Sequence, residues 1–158
     1  MATIRHFRDL RVWQQCREVR LRVRVLVRTW PTEEKQKLID QIVRSSRGPT
    51  SHIAEGYGRF YEKENVRFCR IARGSLYETQ DHLITAQDEG YIDDATFTTH
   101  FVIVQETIKT LNGYMHYLEN MSKPSYGNAV SEPLAHYGGV SQEVPPPPSP
   151  ENPLIADL

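Results

Sequence analysis

The chain has 158 residues, of which 25% are charged, and a formal net charge of −1. This length supports a single domain with its own core, and the near-neutral balance excludes a uniformly basic or acidic protein. The charge is uneven, because residues 1–80 carry 17 Lys and Arg against 9 Asp and Glu, whereas residues 81–158 carry 2 against 11. The asymmetry indicates an anionic partner for the first half, or pairing between halves or between subunits.

The remaining composition argues against disulfide-rich and membrane proteins. Cys16 and Cys69 lack the spacing of a metal or redox motif, so we expect small buried thiols in a reducing compartment. No apolar run approaches the roughly 18–20 residues that span a bilayer, and the first residues do not form a hydrophobic signal region. The sequence therefore predicts a cytoplasmic protein.

The first predicted helix contains a short segment whose pattern would also suit a strand. Residues 19–27 alternate apolar and basic side chains, which alone would indicate a strand. Over a longer window the apolar residues recur at steps of four and three, and this favours a helix. The positions of this seam are Val12, Cys16, Val19, Val23, Leu26 and Trp30. Pro31 should end the helix, and Thr32 should cap the next one.

The second predicted helix runs from about Glu33 to Tyr57. Gly48-Pro49 should kink or locally break it, because proline removes one backbone hydrogen bond and clashes with the preceding turn. Gly56-x-Gly58 indicates the end of this helix rather than a phosphate-binding loop.

The third and fourth helices have clearer apolar faces. The third spans about Lys63 to Glu89 and should stop at Gly90. In the fourth, apolar residues follow a heptad pattern after a cap at Asp93 and Asp94. The sequence therefore predicts an all-α, antiparallel up-down-up-down four-helix bundle over residues 1–122. Residues 123–158 are rich in Pro and lack an apolar period, which predicts a disordered tail that is either solubilising or a polyproline ligand.

Ionisable and small residues in helices two and three suggest a structural polar network. If these helices meet near residue 61, facing residues have numbers that sum to about 122. Arg44 would then face Glu78, Glu55 would face Arg67, and Gly74-Ser75 would let the backbones approach closely. The members of the predicted buried network are Arg44, Glu55, Ser75 and Glu78.

A catalytic interpretation of the same region is weaker. His52 with Glu55, and Glu78 with His82, only faintly resemble the Glu-x-x-His pairs of bundle metal sites, and their order or spacing is wrong. No set of nucleophile, base and oxyanion donors can be named. We therefore expect no metal, no cofactor and no enzymatic activity.

Several segments resemble a known family. They are FRDLRVWQQ at 7–15, WPTEE at 30–34, QIVRSS at 41–46, HIAEGYGR at 52–59, FCRIARGSLYET at 68–79 and DEGYI at 88–92. Together they are similar to the four-helix-bundle proteins encoded in intervening sequences of bacterial 23S ribosomal RNA genes. The resemblance implies a left-handed bundle assembled as a homopentamer, with no assigned function. It also implies a distant relationship to the accessory protein of diversity-generating retroelements, which binds nucleic acid and works with a reverse transcriptase.

Two functions remain open. In the first, an oligomer binds RNA or DNA phosphates, because four arginines of helix one fall within an arc of about 80°. The candidate binding residues are Arg11, Arg17, Arg20, Arg22, Arg24, Arg28, Lys63, Arg67 and Arg70. In the second, a homo-oligomeric scaffold binds a protein partner, for example one encoded nearby such as a reverse transcriptase, and no nucleic acid. Leu21 and Val25, which lie off the helix-one seam, suggest a second buried surface and self-association.

Overall fold

Four α-helices make up most of the residues that this computed structural model describes, which are 4–59 and 61–121. They are α1 (Arg11–Leu26), α2 (Leu38–Tyr57), α3 (Glu62–Asp88) and α4 (Asp94–Met121). Short 3-10 turns lie at Phe7–Asp9, Val27–Thr29 and Thr32–Glu34. The described residues contain no strand, so the all-α prediction is confirmed and the alternating segment 19–27 is helical up to its final 3-10 turn.

Successive helices run antiparallel. Gly56, late in α2, lies against Asn65, early in α3. Asn65 in turn donates from Nδ2 to the hydroxyl of Tyr114, late in α4, at 3.1 Å. At the other end, Gln87 Nε2 donates to Asp94 Oδ1 at 2.8 Å, which joins the end of α3 to the start of α4. The left-handed twist and the Pro-rich tail stay predictions, and the tail lies outside the described residues.

The helices enclose one hydrophobic core, and α1 and α3 each pack against both α2 and α4. The helix-one seam predicted from the sequence is entirely buried. Its first five residues lie in α1, where the four-three spacing keeps them on one side, whereas α1 ends at Leu26 and Trp30 is buried beyond the following 3-10 turn. Other fully buried side chains come from α2, α3 and α4, including Ile42, Ile53, Leu76, Leu83, Val104 and Leu111.

Two of the predicted helix ends are confirmed. Asp93 Oδ1 accepts a hydrogen bond from the backbone N–H of Thr96 at 2.8 Å and caps α4. This bond, with a further one from the Thr96 side chain, lowers the pKa of the Asp93 carboxyl. Gly90 has a φ of +71°, the left-handed conformation that commonly terminates a helix.

The start of α2 differs from the prediction. Thr32 begins a 3-10 turn rather than the helix, and α2 starts only at Leu38. Glu34 supplies the contact expected of a cap, since its Oε2 accepts from the backbone N–H of Leu38 at 3.3 Å. Glu33 and Glu34 therefore lie in the 3-10 turn before α2 and not in the first turn of the helix.

Of the two outcomes predicted for Gly48-Pro49, the local break in helix two is wrong, and the kink stays a prediction. α2 is continuous from Leu38 to Tyr57 with Pro49 inside it and fully buried. The hydroxyls of Ser45 and Ser46 donate to the carbonyls of Ile42 and Val43 within the preceding turn. Burial of the proline ring stabilises the helical conformation, and the local penalty for proline is overridden by tertiary packing.

The predicted buried network is also wrong. Arg44 is exposed and forms an ion pair with Asp40 on its own helix, and Glu55 is exposed and pairs with Arg59 at 2.7 Å. Glu78 is exposed and lies 3.6 Å from His82 Nε2. Only Ser75, which is half-buried, faces α2. The ionisable residues lie on the solvent side because desolvating them would cost more than their pairing returns.

Small polar residues occupy the α2–α3 contact instead. Thr79 Oγ1 donates to Ser45 Oγ at 3.0 Å, and both residues are buried. A Cβ on Gly48 would lie 3.0 Å from Ser75 Oγ. Both pairs have numbers that sum to slightly more than the predicted 122. The register was therefore nearly right, but each predicted charged residue lies beside the residue that makes the contact.

The close approach predicted at Gly74 occurs at another glycine. Nothing lies within 4 Å of a Cβ built on Gly74. On Gly56 such a Cβ would lie 2.8 Å from Asn65 Oδ1 and 2.9 Å from Phe68 Cβ. Gly56 is therefore required by the tight packing of α2 on α3, whereas Gly58 has an ordinary helical conformation at the end of α2.

Candidate nucleic-acid interface

Three of the predicted arginines form an exposed strip along α1 and the 3-10 turn that follows it. Arg17 and Arg24 lie on the side of α1 opposite its buried seam, and Arg28 lies in the turn Val27–Thr29. Within residues 4–59 and 61–121, none of the three forms an ion pair with a carboxylate. We call these residues the α1 arginine strip. An anion can bind these guanidinium groups without displacing a carboxylate of the described residues.

Arg20 belongs to the same arc but has a different environment. It is half-buried, and its Nη1 donates to Thr50 Oγ1 of α2 at 3.3 Å. Thr50 Oγ1 in turn donates to the carbonyl of Arg47 at 3.0 Å. Arg20 is therefore held in position between α1 and α2, and its remaining donors face outward into the space between these helices.

The two flanking arginines of α1 differ from each other. Arg22 Nε lies 2.6 Å from Glu18 Oε1, so its charge is partly neutralised by a residue one turn away. Arg11, at the first position of α1, is exposed and has no ion-pair partner among the described residues. Like the α1 arginine strip, Arg11 is exposed and unpaired within the described residues, whereas Arg22 is paired.

The basic residues of α3 form a separate and weaker site. Arg67 Nη1 lies 3.7 Å from Glu64, and Arg70 Nη2 lies 3.1 Å from Glu119 of α4. Lys63 is exposed and shares a hollow of about 260 Å³ with Arg70 and Glu119. Because α1 and α3 lie at opposite corners of the bundle, the structure does not bring the two predicted basic sets together.

A groove between α1 and α2 contains a basic residue that the sequence analysis missed. It has a volume of about 550 Å³, and Arg20, Arg24 and Arg47 line it. Arg47 is exposed and forms no ion pair within the described part of the chain. Its position three residues after Arg44 was visible in the sequence, but only the packing of α2 on α1 shows which of the two faces α1. We call this feature the α1–α2 groove.

Trp13 forms part of the wall of this groove. Its indole Nε1 donates to the backbone carbonyl of Thr50 at 3.1 Å, and its ring meets Phe7 edge-on with 5.3 Å between ring centroids. A tryptophan beside arginines can either stack on bases or anchor the fold. The hydrogen bond to α2 supports the anchoring role.

A second hollow lies at the end of the bundle where α2 and α4 terminate. It has a volume of about 250 Å³ and is lined mainly by apolar and tyrosine side chains. Four of them are largely exposed: Ile4, Tyr61, Tyr117 and Met121. Inside it, Asn65 links Tyr114 to Cys69, whose Sγ donates to Asn65 Oδ1 at 3.6 Å. Burial raises the pKa of Tyr114 to about 12.

The other potential sites in the described residues are less developed. Cys16 and Cys69 are buried free thiols, and burial raises the pKa of each to about 12, so neither is a thiolate at neutral pH. No group of three or more His, Cys, Asp or Glu there could hold a metal ion. None of the described helices is long and apolar enough to cross a membrane.

Comparison with known proteins connects this bundle to one family. A family profile described as "23S rRNA-intervening sequence protein" matches residues 8–113. A crystal structure of a protein of unknown function from the S23 ribosomal protein family of Bacteroides thetaiotaomicron VPI-5482 has a similar fold, with a TM-score of 0.61 and 21% identity. The alignment covers 66% of this chain and 97% of that one. The search of curated proteins finds no match. The family match covers the first three helices and most of the fourth, and the chain belongs to the 23S rRNA-intervening sequence protein family.

Proposed function

We propose that this protein is a non-catalytic, homo-oligomeric nucleic-acid-binding protein of the cytoplasm that contacts the phosphates of RNA or DNA through the outward face of α1. The observation that carries the proposal is the α1 arginine strip, three exposed guanidinium groups without carboxylate partners in the described residues. Arginine binds phosphate through paired N–H donors, and such contacts supply most sequence-independent affinity.

Oligomer formation would strengthen this binding. Each subunit contributes only a short basic strip, whereas repeating it around a closed assembly, the pentamer that the family resemblance implies, would place several strips on one nucleic acid. Linked sites bind more tightly than one site because the later contacts are intramolecular. The buried free thiols of Cys16 and Cys69 are consistent with a reducing cytoplasm.

The α1 arginine strip can be tested with a charge-matched pair of variants. The first replaces Arg17, Arg24 and Arg28 with Ala. The second replaces Arg44, Arg59 and Lys109 with Ala, each of which is ion-paired with a nearby residue in the chain, and therefore removes the same net charge. Fluorescence anisotropy would follow binding to labelled single-stranded RNA and duplex DNA across a salt series.

We expect the wild type to bind with an affinity that falls steeply with salt. The first variant should lose about 2 to 3 from the slope of log K against log salt, since each phosphate contact contributes about 0.7–0.9. The second should retain most of the slope. If the wild type does not bind at low salt, or both variants lose binding equally, the α1 face is not a nucleic-acid interface.

The hollow at the end of the bundle favours a second candidate function, a scaffold that binds a protein partner. Tyr61 is 75% exposed and Tyr117 is 57% exposed. Amphipathic tyrosines with neighbouring apolar side chains are typical of protein interfaces. Replacing both tyrosines with Ser should leave nucleic-acid binding unchanged and abolish capture of the partner if this function is the correct one. The protein product of an adjacent gene, such as a reverse transcriptase, is the first partner to test.

A further inference from the structure

The lining of the α1–α2 groove divides into two chemical parts. Arg20, Arg24 and Arg47 provide positive charge along it, whereas half-buried Phe7, Leu21 and Val43 provide an apolar floor. Among residues 4–59 and 61–121, no carboxylate lines the groove. The volume of about 550 Å³ falls within the range of sites that hold small organic ligands.

The walls of the groove are fixed by contacts that cross it. Trp13 donates to the Thr50 carbonyl at 3.1 Å, and Arg20 donates to the Thr50 hydroxyl at 3.3 Å. Both bonds join α1 to the same residue of α2, so the spacing between the helices is set at this level. A ligand would therefore enter a preformed site and would not have to order its walls.

The two parts of the lining restrict the chemistry of the occupant. A phosphate alone would satisfy the arginines and leave the apolar floor in water. A purely apolar ligand would cover the floor and bring no charge to the arginines. A nucleotide whose base is unstacked satisfies both, because its base has an apolar face and its phosphates are anionic. In a duplex the bases are stacked and paired, so only the backbone could reach the groove.

From this arrangement we infer that the α1–α2 groove holds one unstacked nucleotide of a single-stranded nucleic acid. The base lies against Phe7, Leu21 and Val43, and the adjoining phosphates contact Arg20, Arg24 and Arg47. This inference rests on the proposed function and sharpens it, because the α1 arginine strip alone would bind any phosphate backbone whereas the groove selects single strands.

The test compares three single strands of equal length and charge, and adds the duplex, which carries twice as many phosphates. A labelled single-stranded RNA, the single-stranded DNA of the same sequence, an abasic DNA strand of the same length and the duplex are titrated with the wild-type protein. We expect the two single strands with bases to bind about tenfold more tightly than the abasic strand, the effect of one stacked base. A 2-aminopurine placed in the strand should change its fluorescence on binding, since it leaves its stacked neighbours. The RNA and DNA arms show whether the sugar contributes to selection.

Two variants locate the effect in the groove. Ser51→Leu changes an exposed residue that lines the groove and should narrow it with an aliphatic side chain, without altering charge. It should bring the affinities for base-containing and abasic single strands close together, whereas the wild type separates them. Arg47→Ala should weaken single-strand binding several-fold more than the matched Arg44→Ala, whose arginine lies outside the groove and pairs with Asp40. Circular dichroism and thermal unfolding would show that each variant is folded.

The outcomes separate the two proposals. Equal affinity for abasic and base-containing strands, with both lost in the Arg17, Arg24 and Arg28 variant, would overturn the groove inference and leave the proposed function standing. Duplex binding as tight as single-strand binding would do the same. No binding of any ligand at low salt would overturn the proposed function and the inference together.

Discussion

At the scale of single residues, Gly56 and Gly74 differ in the space around them: Gly56 packs tightly against α3, whereas a side chain on Gly74 would meet nothing. Gly56→Ala places a Cβ 2.8 Å from Asn65 Oδ1 and 2.9 Å from Phe68 Cβ, so the helices must separate slightly. We expect a loss of about 1–3 kcal/mol in the free energy of unfolding, measured by urea denaturation. Gly74→Ala is the matched control, because nothing lies within 4 Å and alanine is the better helix former, worth about 0.5–1 kcal/mol. Destabilisation by both substitutions would show that packing at Gly56 is not the cause.

The buried thiols give a pH dependence with a defined sign. Burial raises the pKa of Cys16 and Cys69 from 9.0 to about 12, so the folded protein keeps protons that the unfolded chain loses. This contribution is complete below pH 9.0 and is lost as the pH rises towards 12, by up to about 1.4 kcal/mol per pH unit for each thiol. Urea unfolding at pH 8 and pH 10.5 should show this fall, and the Cys16→Ala, Cys69→Ala double variant should show a smaller one. Equal slopes in the two proteins would contradict it.

The sequence predicted which residues are buried far better than it predicted which residues they contact. Within α1 the helix-one seam was correct because a spacing of four and three fixes the side of a helix. Arg44 and Ser45 are neighbours in sequence but differ by about 100° in direction, and only Ser45 contacts α3. An approximate register between α2 and α3 cannot show which of these two neighbours faces α3. For the same reason Arg47 was missed as a groove residue.

At the scale of helices, the hydroxyl contact between α2 and α3 tests what replaces the predicted charged network. Thr79→Val keeps the side-chain shape and removes two contacts of Thr79 Oγ1, one with Ser45 Oγ of α2 and one with the Ser75 carbonyl of its own helix. We expect a loss of about 1 kcal/mol in the free energy of unfolding. Thr85→Val is the matched control on the same helix, since Thr85 Oγ1 bonds only to the carbonyl of Asp81 in its own helix. If Thr79→Val costs no more than Thr85→Val, the interhelical bond contributes nothing specific.

The helices themselves were predicted well because their signals are local. The end of α3 at Gly90 and the cap of α4 at Asp93 depend on backbone conformation and one hydrogen bond, both of which the sequence specifies. Pro49 was misjudged because its cost is local whereas the compensation comes from burial between helices. Errors of this kind arise wherever tertiary packing outweighs an intrinsic propensity.

At the scale of the whole molecule, the outward face of α1 has to serve two proposed purposes. The α1 arginine strip shares this face with Leu21, which is half-buried, and Val25, which is 61% exposed. An apolar side chain this exposed among arginines is explained if part of the face is covered by another subunit. Self-association and nucleic-acid binding would then depend on adjacent positions of one helix.

Substitution of Val25 can separate self-association from nucleic-acid binding. Val25→Glu introduces a charge that would be buried in a subunit interface, and we expect it to reduce the mass measured by light scattering to that of a monomer. Val102→Glu is the matched control, because Val102 of α4 is 45% exposed and lies on a different face.

If the strip acts through a closed assembly, the Val25→Glu monomer should also bind nucleic acid about tenfold more weakly or worse, since linked contacts are lost. A Val25→Glu protein of unchanged mass would place the subunit interface elsewhere on the bundle. Weaker binding at unchanged mass would instead reflect only the added negative charge beside Arg24 and Arg28.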